Sequence, residues 1–170
     1  MAGPVAMTVT SNGSHAAAAA PLLLITPGYA APGDAACLPA VRDLVRALSA
    51  SRSVTVLALR YPQQSEPYPL DGAEIVPLNG GFAAGVARLS LLARACSTAT
   101  RLAHQRGIRV VHALWADEPG FVASVVRHRL GTASVVSLAG GELAALPERN
   151  YGVGLQALGP LLVRAALSNA

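Results

Sequence analysis

The sequence predicts an α/β protein: a doubly wound, mostly parallel sheet with helices on both faces. Three observations lead there. Several short runs are apolar without alternation, as in "LLLIT" at 22–26, which marks strands covered on both faces. Those runs alternate with segments whose apolar residues recur every three or four positions, the period of a helix. The chain of 170 residues, 52% hydrophobic and 13% charged with mean hydropathy +0.44, can bury one sizeable core.

The elements follow in order. Residues 1–20 mix Gly, Pro, Ser and Asn with an alanine run and lack the basic and long apolar regions of a signal peptide. They read as a disordered tail ahead of a domain over 21–170, and the protein is expected in the cytoplasm. After the first strand, the Pro/Gly loop "PGYAAPGD" leads to a helix carrying Leu38, Val41, Val45 and Leu48 on one side, with Asp34 as its expected cap. "VTVLALR" (54–60) is the second strand. A Pro-rich link then leads to "EIVPL" (74–78), and a helix runs over about 84–106 to the stop at Gly107. "RVVHALW" (109–115) is the fourth strand. Pro119 suits the first turn of a helix ending at Gly131, "SVVSLA" (134–139) is the fifth strand, and a last helix occupies much of 154–168.

Composition excludes several classes. All thirteen basic residues are arginine and the formal net charge is +4, without the basic clusters and stacking aromatics of a nucleic-acid binder. No apolar run is long enough to cross a membrane as a helix. Arg94 and Arg101 share a helix face that could meet anionic lipid, although an ordinary solvated face accounts for them more simply. Cys37 and Cys96 stand apart and read as small buried hydrophobes rather than a disulfide. His104 and His128 have no second ligand at metal spacing, and His112, inside a strand, reads as a satisfied core histidine, so no metal site is predicted. A Gly-x-Ser-x-Gly elbow is absent from the sequence.

In open parallel sheets, ligands bind beyond the carboxyl ends of the strands. Three segments fall there. In the first, Gly28 and Gly33 have the gap of a phosphate-binding P-loop, but Asp34 and Ala35 replace its Lys and Ser/Thr, which rules out nucleotide hydrolysis of that kind. The segment is either a plain strand-to-helix turn or a loop whose backbone can approach a diphosphate or sugar. In the second, "WADEP", the residues alone leave two readings: Asp117 or Glu118 caps the Pro119 helix, or Trp115 is a stacking platform and the acids accept sugar hydroxyls. Both hold if one acid caps and the other faces the cleft. In the third, Gly140 and Gly141 permit either close backbone approach or a positive φ at the strand end, and Glu142 could equally cap or pair with an arginine.

Taken together, "LLLITPGYAAPGDAACLPAVRDLVRALSA", "VVHALWADEPGFVASVV" and "VVSLAGGELAALPERNYG" resemble, in that order and spacing, the N-terminal domain of family-4-type glycosyltransferases of the GT-B fold. The resemblance implies a Rossmann-like domain that shapes the acceptor side of a cleft, opposite a C-terminal domain that holds most of a nucleotide-sugar donor. It implies a retaining, metal-independent transferase acting on a glycan or lipid-linked acceptor in polysaccharide biosynthesis, with the nucleotide sugar as substrate and no cofactor. Gly28, Tyr29, Gly33 and Asp34 would form the donor-diphosphate loop. Trp115, Asp117, Glu118, Gly140, Gly141 and Glu142 would line the acceptor side. No catalytic residue is assigned: where many relatives carry a histidine this chain has Ala139, and the spacing of Glu66 and Glu74 repeats the donor-domain glutamate pair only by coincidence, because Pro67, Pro69 and Gly72 intervene. The chain stops in a helix where the family's domain still needs a strand, so an incomplete enzyme with some exposed apolar surface is expected. A donor domain in cis or in trans would complete it. The alternative is a noncatalytic sugar- or nucleotide-binding module, or one subunit of a split enzyme.

Overall fold

The computed structural model describes residues 19–34 and 38–168. Most of the expected tail, Cys37 and the residues just ahead of the first helix lie outside them. The chain runs β1 (Ala19–Gly28), α1 (Pro39–Ser49), β2 (Arg52–Tyr61), β3 (Tyr68–Leu70), β4 (Ala73–Pro77), α2 (Gly85–Gln105), β5 (Val110–Leu114), α3 (Glu118–Leu130), β6 (Ala133–Ser137) and α4 (Gly159–Ser168). The sheet order is β3-β4-β2-β1-β5-β6. Every neighbouring pair is parallel except β3 with β4.

The expected doubly wound α/β class is the class observed, and its cause is visible in β1. Leu23 and Ile25 enter one core with Leu57, Leu59, Val111 and residues of α2 and α3. Leu22 and Leu24 enter the other, with Val54, Val56, Ile75 and the Val41, Leu44, Val45 and Leu48 stripe of α1. Alternate side chains of one strand are therefore buried on opposite faces, which is why the run shows no polar alternation. The chain first winds outward from β1 to β2 and β4, then α2 carries it back across the sheet to β5, on the other side of β1. The order reverses between β1 and β5, and a crevice opens there at the carboxyl ends.

Four expectations change at the element level. Ala19 and Ala20, placed in the expected tail, belong to β1, and residues 1–18 lie outside the described residues. Asp34 does not cap α1: the helix begins at Pro39 after Leu38 in a left-handed conformation, and the Asp34 carbonyl instead accepts a hydrogen bond from Arg42. The Pro-rich link contains the edge strand β3, joined to β4 by Asp71 (φ 54°) and Gly72 (φ 80°). Both residues have positive φ, as a two-residue type I′ turn requires. Glu74 lies in that hairpin and pairs with Arg106, so the Glu66–Glu74 spacing falls on no helix. The last helix starts at Gly159 with Pro160 in its first turn, and short 3-10 turns at 141–143, 147–149 and 153–155 fill the preceding segment. Leu161 and Leu167 of α4 are exposed.

Asp71 also ties the hairpin to the rest of the fold. Its carboxylate accepts from the Tyr29 hydroxyl (2.9 Å), from Arg42 Nε and Nη2 (2.8 and 3.1 Å) and from Arg46 Nε (2.8 Å). These donors favour the charged form and hold the Asp71 carboxyl down at about 2. Burial, with Asp71 beside it, pushes the Tyr29 hydroxyl upward.

On the opposite face, α3 packs between α2 and α4. Gly120 makes the α4 contact: a Cβ there would stand 2.7 Å from the Ala166 Cβ and 3.3 Å from the Trp115 carbonyl oxygen. Gly120→Val is expected to lose about 1–3 kcal/mol by overpacking. Thermal unfolding checks this, and Ala166→Gly in the same chain should restore part of the loss. No restoration would place the effect elsewhere.

Candidate functional site

The β5 strand ends at Leu114, and the next residue departs from ordinary backbone geometry. Trp115 has φ 76°, a conformation that costs a non-glycine residue roughly 1–3 kcal/mol and persists only where surrounding structure imposes it. Here the Trp115 amide donates to the Ser137 carbonyl at the end of β6 (2.9 Å), while its own carbonyl accepts from Gly120 (3.1 Å). The strained residue sits at the carboxyl end of β5, beside the reversal of strand order.

The two acids that follow take different roles from those expected. Asp117 occupies the N-cap position of α3, but its side chain makes no capping hydrogen bond. Its Oδ1 is buried without a partner among the described residues. Burial, then the neighbouring Glu118 charge, raise the Asp117 carboxyl above the usual range. Glu118 is 3% exposed and belongs to an ion-pair cluster. Arg60, from the end of β2, grips both its oxygens through Nε (2.9 Å) and Nη2 (2.6 Å), and Arg88, from the first turn of α2, reaches Oε1 through Nε (2.6 Å). Neither acid caps the helix by its side chain. Glu118 is consumed as a buried counter-ion, and both acids line the cavity in front of them.

Two adjoining cavities open at this edge. One of about 420 Å³ is bordered by Pro27, Arg60, Gly85, Arg88, Asp117 and Gln156. The other, of about 520 Å³, is bordered by Trp115, Ala139, Glu142, Asn150, Tyr151 and Gln156. Gln156 belongs to both walls. Glu142 is 4% exposed; its Oε1 accepts from the Ala139 amide (2.9 Å), whereas Oε2 is buried and has no partner among the described residues. A buried acceptor left open usually costs about 1–3 kcal/mol unless something satisfies it. Trp115 and Tyr151 add aromatic faces, so this cavity offers the apolar platform on which a hydroxyl-rich ring can stack.

The paired glycines do allow a close approach, but by protein. A Cβ on Gly140 or Gly141 would lie 3.2 or 3.1 Å from the Tyr151 hydroxyl oxygen, and Gly140 has φ 145°. The first loop is occupied in the same way. The space beside Gly28 is filled by the Tyr61 ring, which comes within 2.3 Å of where a Cβ would stand. Tyr29 is fully buried and points to Asp71 rather than into the cleft. Gly33 (φ 87°) and Asp34 are exposed, and a Cβ on Gly33 would meet nothing within 4 Å, so this part of the loop is open to solvent. His112 is half-buried in β5 and has a partner, with Nε2 2.8 Å from Ser137 Oγ, and burial lowers its imidazole below the usual range. Cys96 is buried among the α2 core residues. No group of three His, Cys, Asp or Glu side chains among the described residues could hold a metal ion.

Sequence reasoning missed Arg60, Arg88 and Gln156. Two signals pointed to the arginines. Arg60 interrupts an apolar strand at its carboxyl end. Arg88 lies in the first turn of a helix, where the dipole disfavours a cation unless an anion is near.

This arrangement, a parallel sheet with its crevice at the strand-order reversal, defines a Rossmann-like domain of the kind found in two-domain GT-B enzymes. Among solved structures, the chain is similar to sucrose-phosphate synthase from Thermosynechococcus elongatus, with 14% sequence identity and a TM-score of 0.62. The match covers 89% of this chain and 41% of that one, about the share of one domain. No protein-family model matches the sequence, and no curated protein matches it significantly. Among the described residues, no helix is long and apolar enough to cross a membrane.

Proposed function

We propose that the protein is the acceptor-side domain of a retaining, metal-independent glycosyltransferase. It would take part in moving a sugar from a nucleotide-sugar donor to a glycan or lipid-linked acceptor. The observation that carries this reading is Trp115, held in a strained conformation at the mouth of a cavity that Tyr151 and Glu142 also line. Strain of this kind persists where a side chain must be aimed, and Trp115 borders a sugar-sized space. The GT-B likeness supports the same reading, and its limited coverage of the relative supports a second domain across the cleft, in cis or in trans.

In such an enzyme the rate comes from placing donor and acceptor together in a closed, preorganised cleft. One wall can bind but has nothing to close against. Trp115 is the sole tryptophan of the chain and therefore reports on its own site. Titration with nucleotide sugars and neutral oligosaccharides is expected to change its fluorescence saturably, with millimolar rather than micromolar affinity and no sugar transfer. Tyr151→Ala should weaken the response severalfold. Efficient transfer by these 170 residues alone would overturn the half-site reading, and a Trp115 signal indifferent to every sugar would overturn the acceptor assignment. Recovery of transfer on adding a separate donor domain would identify a split enzyme.

A further inference from the structure

The Arg88 guanidinium is held in place by one edge and left open at the other. Its Nε donates to Glu118 at 2.6 Å, but the outer fork has only a 3.4 Å contact from Nη1 to Gln156, and Nη2 has no protein partner among the described residues. The side chain is nevertheless only 15% exposed. A cation that has been largely desolvated retains unspent donors that favour an ionised partner. Arg60 shows the contrast. Its Nε and Nη2 grip Glu118, and its Nη1 is spent on the carbonyls of Gly81 and Ala83.

Three further features surround the open fork. No side chain caps the N-terminus of the 21-residue α2, and Gly85 from that turn borders the same cavity as Arg88. Glu118 lies against the Nε edge of Arg88 and is itself neutralised by the Arg60 fork. Asp117 borders the same cavity, and burial with the neighbouring Glu118 charge raises its carboxyl above the usual range, which weakens its opposition to a second negative charge. We infer that this cavity is a binding subsite for a phosphoryl group, taken up by the outer fork of Arg88 together with the first-turn amides of α2. The group would come from a sugar phosphate acceptor or from the diphosphate of a nucleotide donor. The inference rests on reading this edge of the sheet as a substrate cleft.

The test uses the full chain with inorganic phosphate, glucose 6-phosphate, uridine diphosphate and glucose as probes, followed by NMR of the Arg88 Nε–H and the amides of residues 85–88. Inorganic phosphate is expected to shift these signals. Arg88→Gln should weaken its binding at least tenfold, and Arg88→Lys should recover only part, because a point charge lacks the fork. Unchanged thermal unfolding in Arg88→Lys separates lost binding from lost structure. Tighter binding of glucose 6-phosphate than of uridine diphosphate identifies the acceptor as the source of the phosphoryl group, and the reverse order identifies the donor. Absence of shifts at Arg88 with every phosphorylated probe, or equal binding by Arg88→Gln, would overturn the subsite. If that happens while neutral sugars still alter Trp115, the transferase reading stands without it. If phosphate binds at Arg88 while no sugar reaches Trp115, the subsite stands and the transferase reading falls.

Discussion

Glu118→Ala is expected to destabilise the protein by about 3–5 kcal/mol, the usual cost of removing one member of a buried ion cluster. Arg60 and Arg88 would both remain largely out of water, at 24% and 15% side-chain exposure, without the carboxylate that offsets their charge. The consequence reaches beyond one contact. Arg60 joins the end of β2 to the loop before α2 through Gly81 and Ala83, and Glu118 joins both to the start of α3. The cluster thus fixes three segments that border the crevice. Urea unfolding checks the prediction, read as a lower midpoint with an unchanged slope. Glu118→Gln keeps the shape and one acceptor and should cost less than Glu118→Ala. A loss below about 1 kcal/mol for Glu118→Ala would mean that the arginines find water or other acceptors.

Asp71→Ala is expected to cost about 2–4 kcal/mol, because it removes one carboxylate from the buried Tyr29 hydroxyl and from two arginines at once. The same residue gives stability a pH dependence. Its folded carboxyl, at about 2, lies below the unfolded value of 3.8. A depressed value means that the native state binds fewer protons than the unfolded one. The contribution is therefore fully present above the unfolded value and declines as pH falls through 3.8 toward 2. The amount lost is on the order of 2 kcal/mol. Asp71→Asn should lack this part of the acid slope, so its stability curve and that of the natural protein should converge between about pH 4 and 2. Parallel curves over that range would show that Asp71 is not the group responsible.

The elements that sequence read well are those decided by local chemistry. Continuous apolar runs gave β1, β2, β5 and β6, and three- and four-residue spacing gave α1, α2 and α3 to within a few residues. The β3–β4 hairpin was legible too, since Asp71-Gly72 between two short β-rich runs is a turn signal, but the surrounding prolines argued for a link. The prolines are accommodated because β3 is an edge strand.

Site residues divide differently. Trp115, Asp117, Glu118, Gly140, Gly141 and Glu142 do gather at the carboxyl edge of the sheet, as strand order alone implies. Which of them face open space was not legible. Tyr29 and Glu118 went to internal networks because their partners, Asp71, Arg60 and Arg88, are brought to them from the hairpin, β2 and α2. Sequence by itself determined the layered α/β class and the edge of the sheet where the candidate site residues gather, because apolar periodicity is a local property that survives without knowledge of partners. Tertiary structure alone decided which acid is a buried counter-ion, which oxygen is left unpaired and which arginine keeps an open edge. Those outcomes depend on distances between segments up to 68 positions apart, and no local pattern of residues records such distances.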